Sequence, residues 1–285
     1  MGHIYDASQE SDDIFHNIAG SDVFVFDIDG TLTEPNQDIF GEHANILSKL
    51  SHEKKIIILT ARDFQTVESH ILKYLPKETN WENWLIAGAN GGQTAKYSGE
   101  EFCEYESIYE MPRDFRAKIC SDFEAIKHSG IIPHLHTGAS IEDRISNLTV
   151  VVVPRFRTDI HTGEQSKISR EERAAADPDK IVRSEIVRLL RAQNDEVARE
   201  YEWMISGATS IDIKSIGALK GHNLEKILML AQYQGKKVVF FGDEITLGGD
   251  ESIPRVLPNV MSVEVRSFHQ TYSFLNPFLS HYETN

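Results

Sequence analysis

The stretch VFVFDIDGTLTEPNQ, residues 23–37, sets two carboxylates, Asp27 and Asp29, one residue apart at the end of an apolar run. Buried like charges raise each other's pKa and lose hydration, so such a pair is costly unless a cation compensates it. Similar run endings recur along the chain. The apolar run of IIILTARD stops at Thr60, that of VVFFGDE gives way to Asp243, and Lys220 opens the helical stretch that leads into the latter. Carboxylates and carbonyls are hard oxygen ligands for a divalent cation, while a hydroxyl and an ammonium donate to phosphoryl oxygens. A Mg²⁺ ion among Asp27, Asp29 and Asp243 would neutralise the carboxylates and let an anionic phosphoryl group approach one of them as nucleophile.

These residues need a scaffold that gathers strand ends. Apolar runs at residues 23–26, 56–59, 84–87, 238–241 and 260–263 predict strands. Between 59 and 84, and between 220 and 236, the apolar spacing is helical, with Leu224, Ile227, Leu228 and Ala231 on one face. Strands alternating with helices predict a parallel α/β sheet with right-handed crossovers, whose ligands bind beyond the carboxyl ends of the strands. The middle of the chain reads differently. Hairpin-like segments at 93–97, 102–106, 148–153 and 203–206 accompany helical stretches at 112–128 and 178–192, with Asp177 and Pro178 as cap and first turn. The expected organisation is a discontinuous Rossmann-like core, residues 1–91 and 215–285, with an inserted α+β cap, residues 92–214. Residues 1–21 read as a flexible or loosely docked lead-in. The ANGG stretch, Ala89 to Gly92, reads as a turn with its glycines at positive φ, and Gly91, Gly92 and residues 214–217 as connectors between the two parts.

Composition narrows the partners. Forty-four Asp and Glu against twenty-nine Lys and Arg give a net charge of −15, which disfavours nucleic acid and anionic membranes. The sequence holds no apolar run of the roughly 20 residues that span a bilayer and no signal-peptide core, so a soluble cytoplasmic protein is expected. Cys103 and Cys120 form no CxxC pair and read as reduced thiols. Leu32 stands where a calcium loop needs glycine, which excludes that reading of DIDGTL. His134 and His136 lack further spaced ligands and read as ordinary, and Trp81 and Trp84 are expected to pack at the domain junction.

DIDGTLT resembles the first signature of the haloacid dehalogenase superfamily, and Thr60, Lys220 and GDEITLGGDE match its other three in order. The resemblance implies that Asp27 attacks phosphorus to give an aspartyl phosphate and that Asp29 is the general acid and base. It assigns Thr60 and Lys220 to the phosphoryl oxygens, and Asp27, Asp243 and the Asp29 carbonyl to Mg²⁺. The insertion, opened by ANGG and closed by GATSIDIKSIGALKG, is similar to the cap of the eukaryotic-type phosphomannomutase family. That similarity implies a hexose phosphate held by Arg144, Arg155, Arg173, Ser210 and Asp212, a hexose bisphosphate activator and a homodimer through the cap. Three departures stand out: Asn36 occupies a family arginine position, Glu244 and Asp250 replace a lysine and an asparagine, and the loop before Arg173 is longer. A sugar-phosphate phosphatase is therefore the alternative to a mutase. A noncatalytic sugar-phosphate binder is the third reading, and the retained Asp27 nucleophile argues against it.

Overall fold

The computed structural model describes residues 4–6, 12–105, 110–143, 147–154, 156–158, 162, 164–206, 209–216, 219–243, 245 and 252–280. In chain order the first elements are β1 (Ile4–Asp6), α1 (Asp12–Ala19), β2 (Val23–Phe26), α2 (Gly41–Ser51), β3 (Lys55–Leu59), α3 (Phe64–His70), β4 (Trp84–Gly88), β5 (Gln93–Tyr97) and β6 (Phe102–Tyr105). There follow α4 (Arg113–Ser129), β7 (Ser140–Asp143), β8 (Asn147–Val151), β9 (Phe156–Thr158), β10 (Gln165–Lys167), α5 (Arg170–Ala175), α6 (Ile181–Gln193), β11 (Tyr201–Ser206) and β12 (Ser210–Ser215). The chain closes with α7 (Lys220–Leu228), β13 (Val238–Gly242), α8 (Ser252–Val256), β14 (Met261–Glu264) and α9 (Phe268–Ser280). Residues 1–109 with 217–285 make one compact unit and residues 110–216 another.

The larger unit is built on a sheet of order β1-β14-β13-β2-β3-β4-β5-β6, parallel from β1 to β4 and antiparallel thereafter. Its central strands are apolar throughout because both faces are covered. Phe24, Phe26, Ile56, Ile58, Val239 and Phe241 point to the side of α1, α2 and α9, where Ile18, Leu47 and Phe274 fill the layer. Val23, Val25, Ile57, Leu59 and Phe240 point the other way, onto Leu224 and Ile227 of α7 and Ile253 of α8.

Five expectations are corrected in this unit. The described part of residues 1–21 is docked: β1 adds a parallel edge strand to β14, and α1 buries Ile14 and Ile18 while Phe15 packs on Phe274. The boundary at 91/92 moves to 109/110, because β5 and β6 extend the core sheet and Ala95 joins its core. Gly91 and Gly92 consequently lie inside this unit and are no connector, and Trp81 and Trp84 pack with Tyr97 and Phe102 of the same unit. The ANGG turn is left-handed at Ala89, Asn90 and Gly91, whereas Gly92 has φ −73°. The strain is met by tertiary bonds: Asn223 Nδ2 donates to the Asn90 carbonyl at 2.9 Å.

The smaller unit carries an antiparallel sheet of order β11-β12-β8-β7. Alternation decides its faces. Ile211 and Ile213 of β12 are buried, while Ser210, Asp212 and Lys214 face the other way. Helix α6 packs on β11 and β12, and α4 lies beside α6 and β7, with Phe115 of α4 stacked on Tyr201 at 3.9 Å. Helix α6 begins at Ile181, later than the 178 expected, yet Asp177 still caps it. Its carboxylate accepts from the main-chain N–H of Val182 at 3.0 Å and of Arg183 at 3.3 Å, and pairs with the buried Arg183 guanidinium at 2.8 Å.

Candidate active site

The core site begins where β2 leaves the sheet. Asp27 continues the ladder by donating its N–H to the Phe241 carbonyl at 3.0 Å. The next residues fold back on themselves: the N–H groups of Thr31, Leu32 and Thr33 all converge on the Ile28 carbonyl, and Gly30 donates to the Thr33 carbonyl at 2.8 Å. Gly30 sits at φ +81°, and a Cβ there would collide with the Asp243 carboxylate. Glycine is therefore required twice over, by conformation and by the approach of Asp243.

Lys220 at the first turn of α7 reaches back to Asp27, Nζ to Oδ1 at 3.0 Å, with both side chains largely buried. Its helix is seated by Gly221, whose N–H donates to Ser252 Oγ at 3.0 Å and whose lack of a Cβ lets it pass against the Ser252 carbonyl. Thr60, buried just past the end of β3, lies two residues beyond Ile58, which is registered against Phe26. Thr60 Oγ1 accepts the Arg62 N–H at 3.2 Å. Asp27, Lys220, Asp243 and Thr60 are thus set by strand and helix ends of one unit.

Asp29 has a different surrounding. Arg62 grips it with a fork, Nε to Oδ2 at 2.7 Å and Nη2 to Oδ1 at 2.6 Å. The Asn36 N–H donates to Oδ1 at 3.1 Å, and the Asn36 side-chain oxygen accepts from Arg62 Nη2 at 2.9 Å. Asn36 has φ +62°, a conformation that asparagine tolerates better than most residues. Arg62 was not among the residues singled out by sequence. Its only signal was its place two residues past Thr60, and no local pattern tells that it turns to a carboxylate 33 positions earlier.

The donor set suits a hard divalent cation. Asp27 and Asp243 supply carboxylates, and the Asp29 carbonyl lies in the loop that Asp243 closes on. Among the described residues no group of three or more His, Cys, Asp or Glu side chains converges as a metal cage. Glu244 and Asp250 lie outside the described residues.

In the smaller unit, Asp212 accepts from Thr149 Oγ1 at 2.8 Å and from Ser206 Oγ at 3.0 Å, and Lys214 Nζ stands 3.7 Å from it. Ser210 lies two residues along the same strand, on the same polar face. Arg173 is half-buried in α5, a helix capped by Ser169. Arg144 and Arg155 lie outside the described residues. The ring of His136 accepts the Gly138 N–H at 2.9 Å, an ordinary turn contact.

A model of the haloacid dehalogenase-like hydrolase family matches residues 24–245, which takes in the strand ends carrying Asp27, Thr60 and Asp243 and the helix start carrying Lys220. The chain belongs to this family. Among curated proteins it is similar to phosphomannomutase 2 of Dictyostelium discoideum, 26% identical over 272 residues that cover 90% of this chain and 96% of that protein. A phosphomannomutase of Spinacia oleracea is 23% identical over 232 residues, covering 80% and 84%. Among solved structures, an IMP-nucleotidase of Plasmodium falciparum superposes with a TM-score of 0.66 at 18% identity, covering 93% of this chain and 70% of that one. The C-terminal domain of trehalose-6-phosphate phosphatase from C. albicans superposes with a TM-score of 0.63 at 14% identity, covering 94% and 96%. At these identities the two structures share the fold with this haloacid dehalogenase-like protein. No helix of the described residues is long and apolar enough to cross a membrane.

Proposed function

We propose that this protein is a Mg²⁺-dependent phosphotransferase that acts on a hexose phosphate through an aspartyl phosphate on Asp27, interconverting the 1- and 6-phosphates. The observation that carries the reading is the buried Asp27–Lys220 pair at 3.0 Å, set against Asp243 at the mouth of a glycine-shaped loop. Asp27 Oδ attacks phosphorus. Lys220 and Thr60 hold the non-bridging oxygens and stabilise the charge they gain. Asp29 protonates the leaving sugar oxygen and later takes the proton from the incoming one. Asp27, Asp243 and the Asp29 carbonyl would hold Mg²⁺, which would supply charge neutralisation.

For the sugar, the reading uses Ser210 and Asp212 as hydroxyl partners and Arg144, Arg155 and Arg173 for the second phosphate, since guanidinium groups bind phosphate in a fork. Similarity to phosphomannomutases over nine-tenths of the chain supports the mutase, with a hexose bisphosphate as primer. A sugar-phosphate phosphatase is the second reading, favoured by Asn36, where an arginine of the mutases is missing. The test is incubation with mannose or glucose 1-phosphate, Mg²⁺ and a trace of the bisphosphate. Hexose 6-phosphate in excess of free phosphate supports the mutase, and free phosphate as sole product supports the phosphatase. No turnover of these or of an aryl phosphate overturns both.

A further inference from the structure

Arg62 belongs to none of the roles assigned above, yet its fork is the most highly constrained feature around Asp29. Its main chain is pinned on both sides: the N–H goes to Thr60 Oγ1 at 3.2 Å, and the carbonyl accepts the Ala89 N–H at 2.7 Å. Gly88 makes this possible, because a Cβ there would press on the Arg62 carbonyl at 2.8 Å. The guanidinium therefore starts from the same strand end that offers Thr60 to a phosphoryl group.

A carboxylate has about four lone-pair positions. At Asp29, Arg62 Nε, Arg62 Nη2 and the Asn36 N–H occupy three of them. That grip leaves a single position for a leaving oxygen, and Asp29 is freer to meet one once the pair opens. The side chains are 22% and 32% exposed, so solvent and ligand can reach the pair, and a partly exposed ion pair is cheap to part. What a guanidinium fork takes in exchange for a carboxylate is another planar pair of oxygens, and phosphate presents one with more charge.

We infer that Arg62 is an anion-exchange latch on Asp29: it holds the carboxylate in the resting protein and passes to a phosphate oxyanion of the substrate, which frees Asp29. The inference rests on the phosphotransferase reading of the site. Arg62 then does from position 62 part of what the missing cation at position 36 would do, with Asn36 as the remaining anchor through its N–H. Arg62 is both a phosphate-binding and a positioning residue, and arrival of a phosphorylated ligand is coupled to release of the acid–base group.

The experiment is a double-mutant cycle on the Mg²⁺-loaded full chain, with inorganic phosphate as probe and calorimetry as readout. If Asp29 competes with phosphate for the fork, Asp29→Ala tightens phosphate binding about tenfold, or ~1.4 kcal/mol, when Arg62 is present. In the Arg62→Ala background the same change yields no more than about twofold, the residue of lost charge repulsion. Arg62→Lys, which keeps the charge and loses the fork, should give an intermediate gain of about threefold. Equal gains in all three backgrounds overturn the latch alone. Failure of every variant and of the parent to bind phosphate overturns the phosphotransferase reading, and the latch with it.

Discussion

The two units set their polar residues by different means. In the larger one, Asp27, Thr60 and Asp243 sit just past the ends of strands whose registers are fixed by fully buried side chains, Phe26 against Ile58 and against Phe241. A strand that slips by one residue would turn a whole apolar face outward, so the carboxyl ends are held to the register of the core. In the smaller one, Ser210 and Asp212 project from the face of a strand whose other face is buried, and their orientation depends on neighbours such as Thr149 and Ser206. Chemistry that needs atoms fixed in place suits the strand ends. Recognition of a ligand that varies from one relative to the next suits a polar sheet face, where single side chains change without disturbing a register.

The sharpest way to break this contrast is at the nucleophile. Asp27→Asn keeps the shape and the Lys220 contact but removes the attacking oxygen, and should lower turnover of every phosphate ester on the order of 10³-fold or more, with folding retained. Steady-state assays on sugar and aryl phosphates, beside a thermal melt, check it. Near-normal activity would sink the covalent mechanism.

Cap substitutions should discriminate between substrates. Arg173→Ala or Asp212→Ala is expected to cut kcat/KM for hexose phosphate by about 10- to 100-fold, the loss of one charge-assisted contact of about 1.5–3 kcal/mol. Aryl phosphate hydrolysis should change by about twofold or less, because that substrate uses the core alone. Equal losses on both substrates would remove the division of labour between the units.

The smallest expected effect is a pH response confined to the core. His43 stacks on Tyr272 at 3.6 Å, and burial holds its pKa below the ordinary 6.5. The folded state thus favours the neutral ring. Its contribution is complete above the unfolded pKa and falls away as pH drops through that value towards the lower folded one. In the cap, the Arg116 pair with Asp143 and Glu110 raises an arginine pKa already far above this range, so it stays charged throughout. Thermal melts between pH 7.5 and pH 5, an interval chosen around the ~6.5 of free histidine, should show a modest loss that His43→Phe abolishes. An unchanged slope in that variant would place the sensitivity elsewhere.

Most of the core's plan is legible without coordinates. Continuous apolar runs that end in Asp, Thr or Asp are rare enough in pattern to predict both a doubly covered sheet and polar groups beyond its strand ends. Helix α7 follows likewise from the spacing of Leu224 and Ile227, although it ends at Leu228, short of the expected 236, and leaves Ala231 exposed beyond it. Less was legible at the edges. β1 has only three residues, and the β5–β6 hairpin has the same half-polar alternation whether it joins the core sheet or the cap, so its sequence does not say which.

What the sequence by itself determined is therefore the fold class, the alternation of the core strands and helices, and the identity of the acids and hydroxyl at the strand ends and of the amine at a helix start, since these follow from local periodicity and from where it stops. Tertiary structure alone decided which groups those residues meet. Asn223 steadies the left-handed Asn90 from 133 positions away, Thr149 bonds Asp212 across 63, and Arg62 closes on Asp29 across 33. Each contact depends on directions of side chains brought together by sheet register and helix packing. A one-residue change of register would erase it without altering a single local pattern.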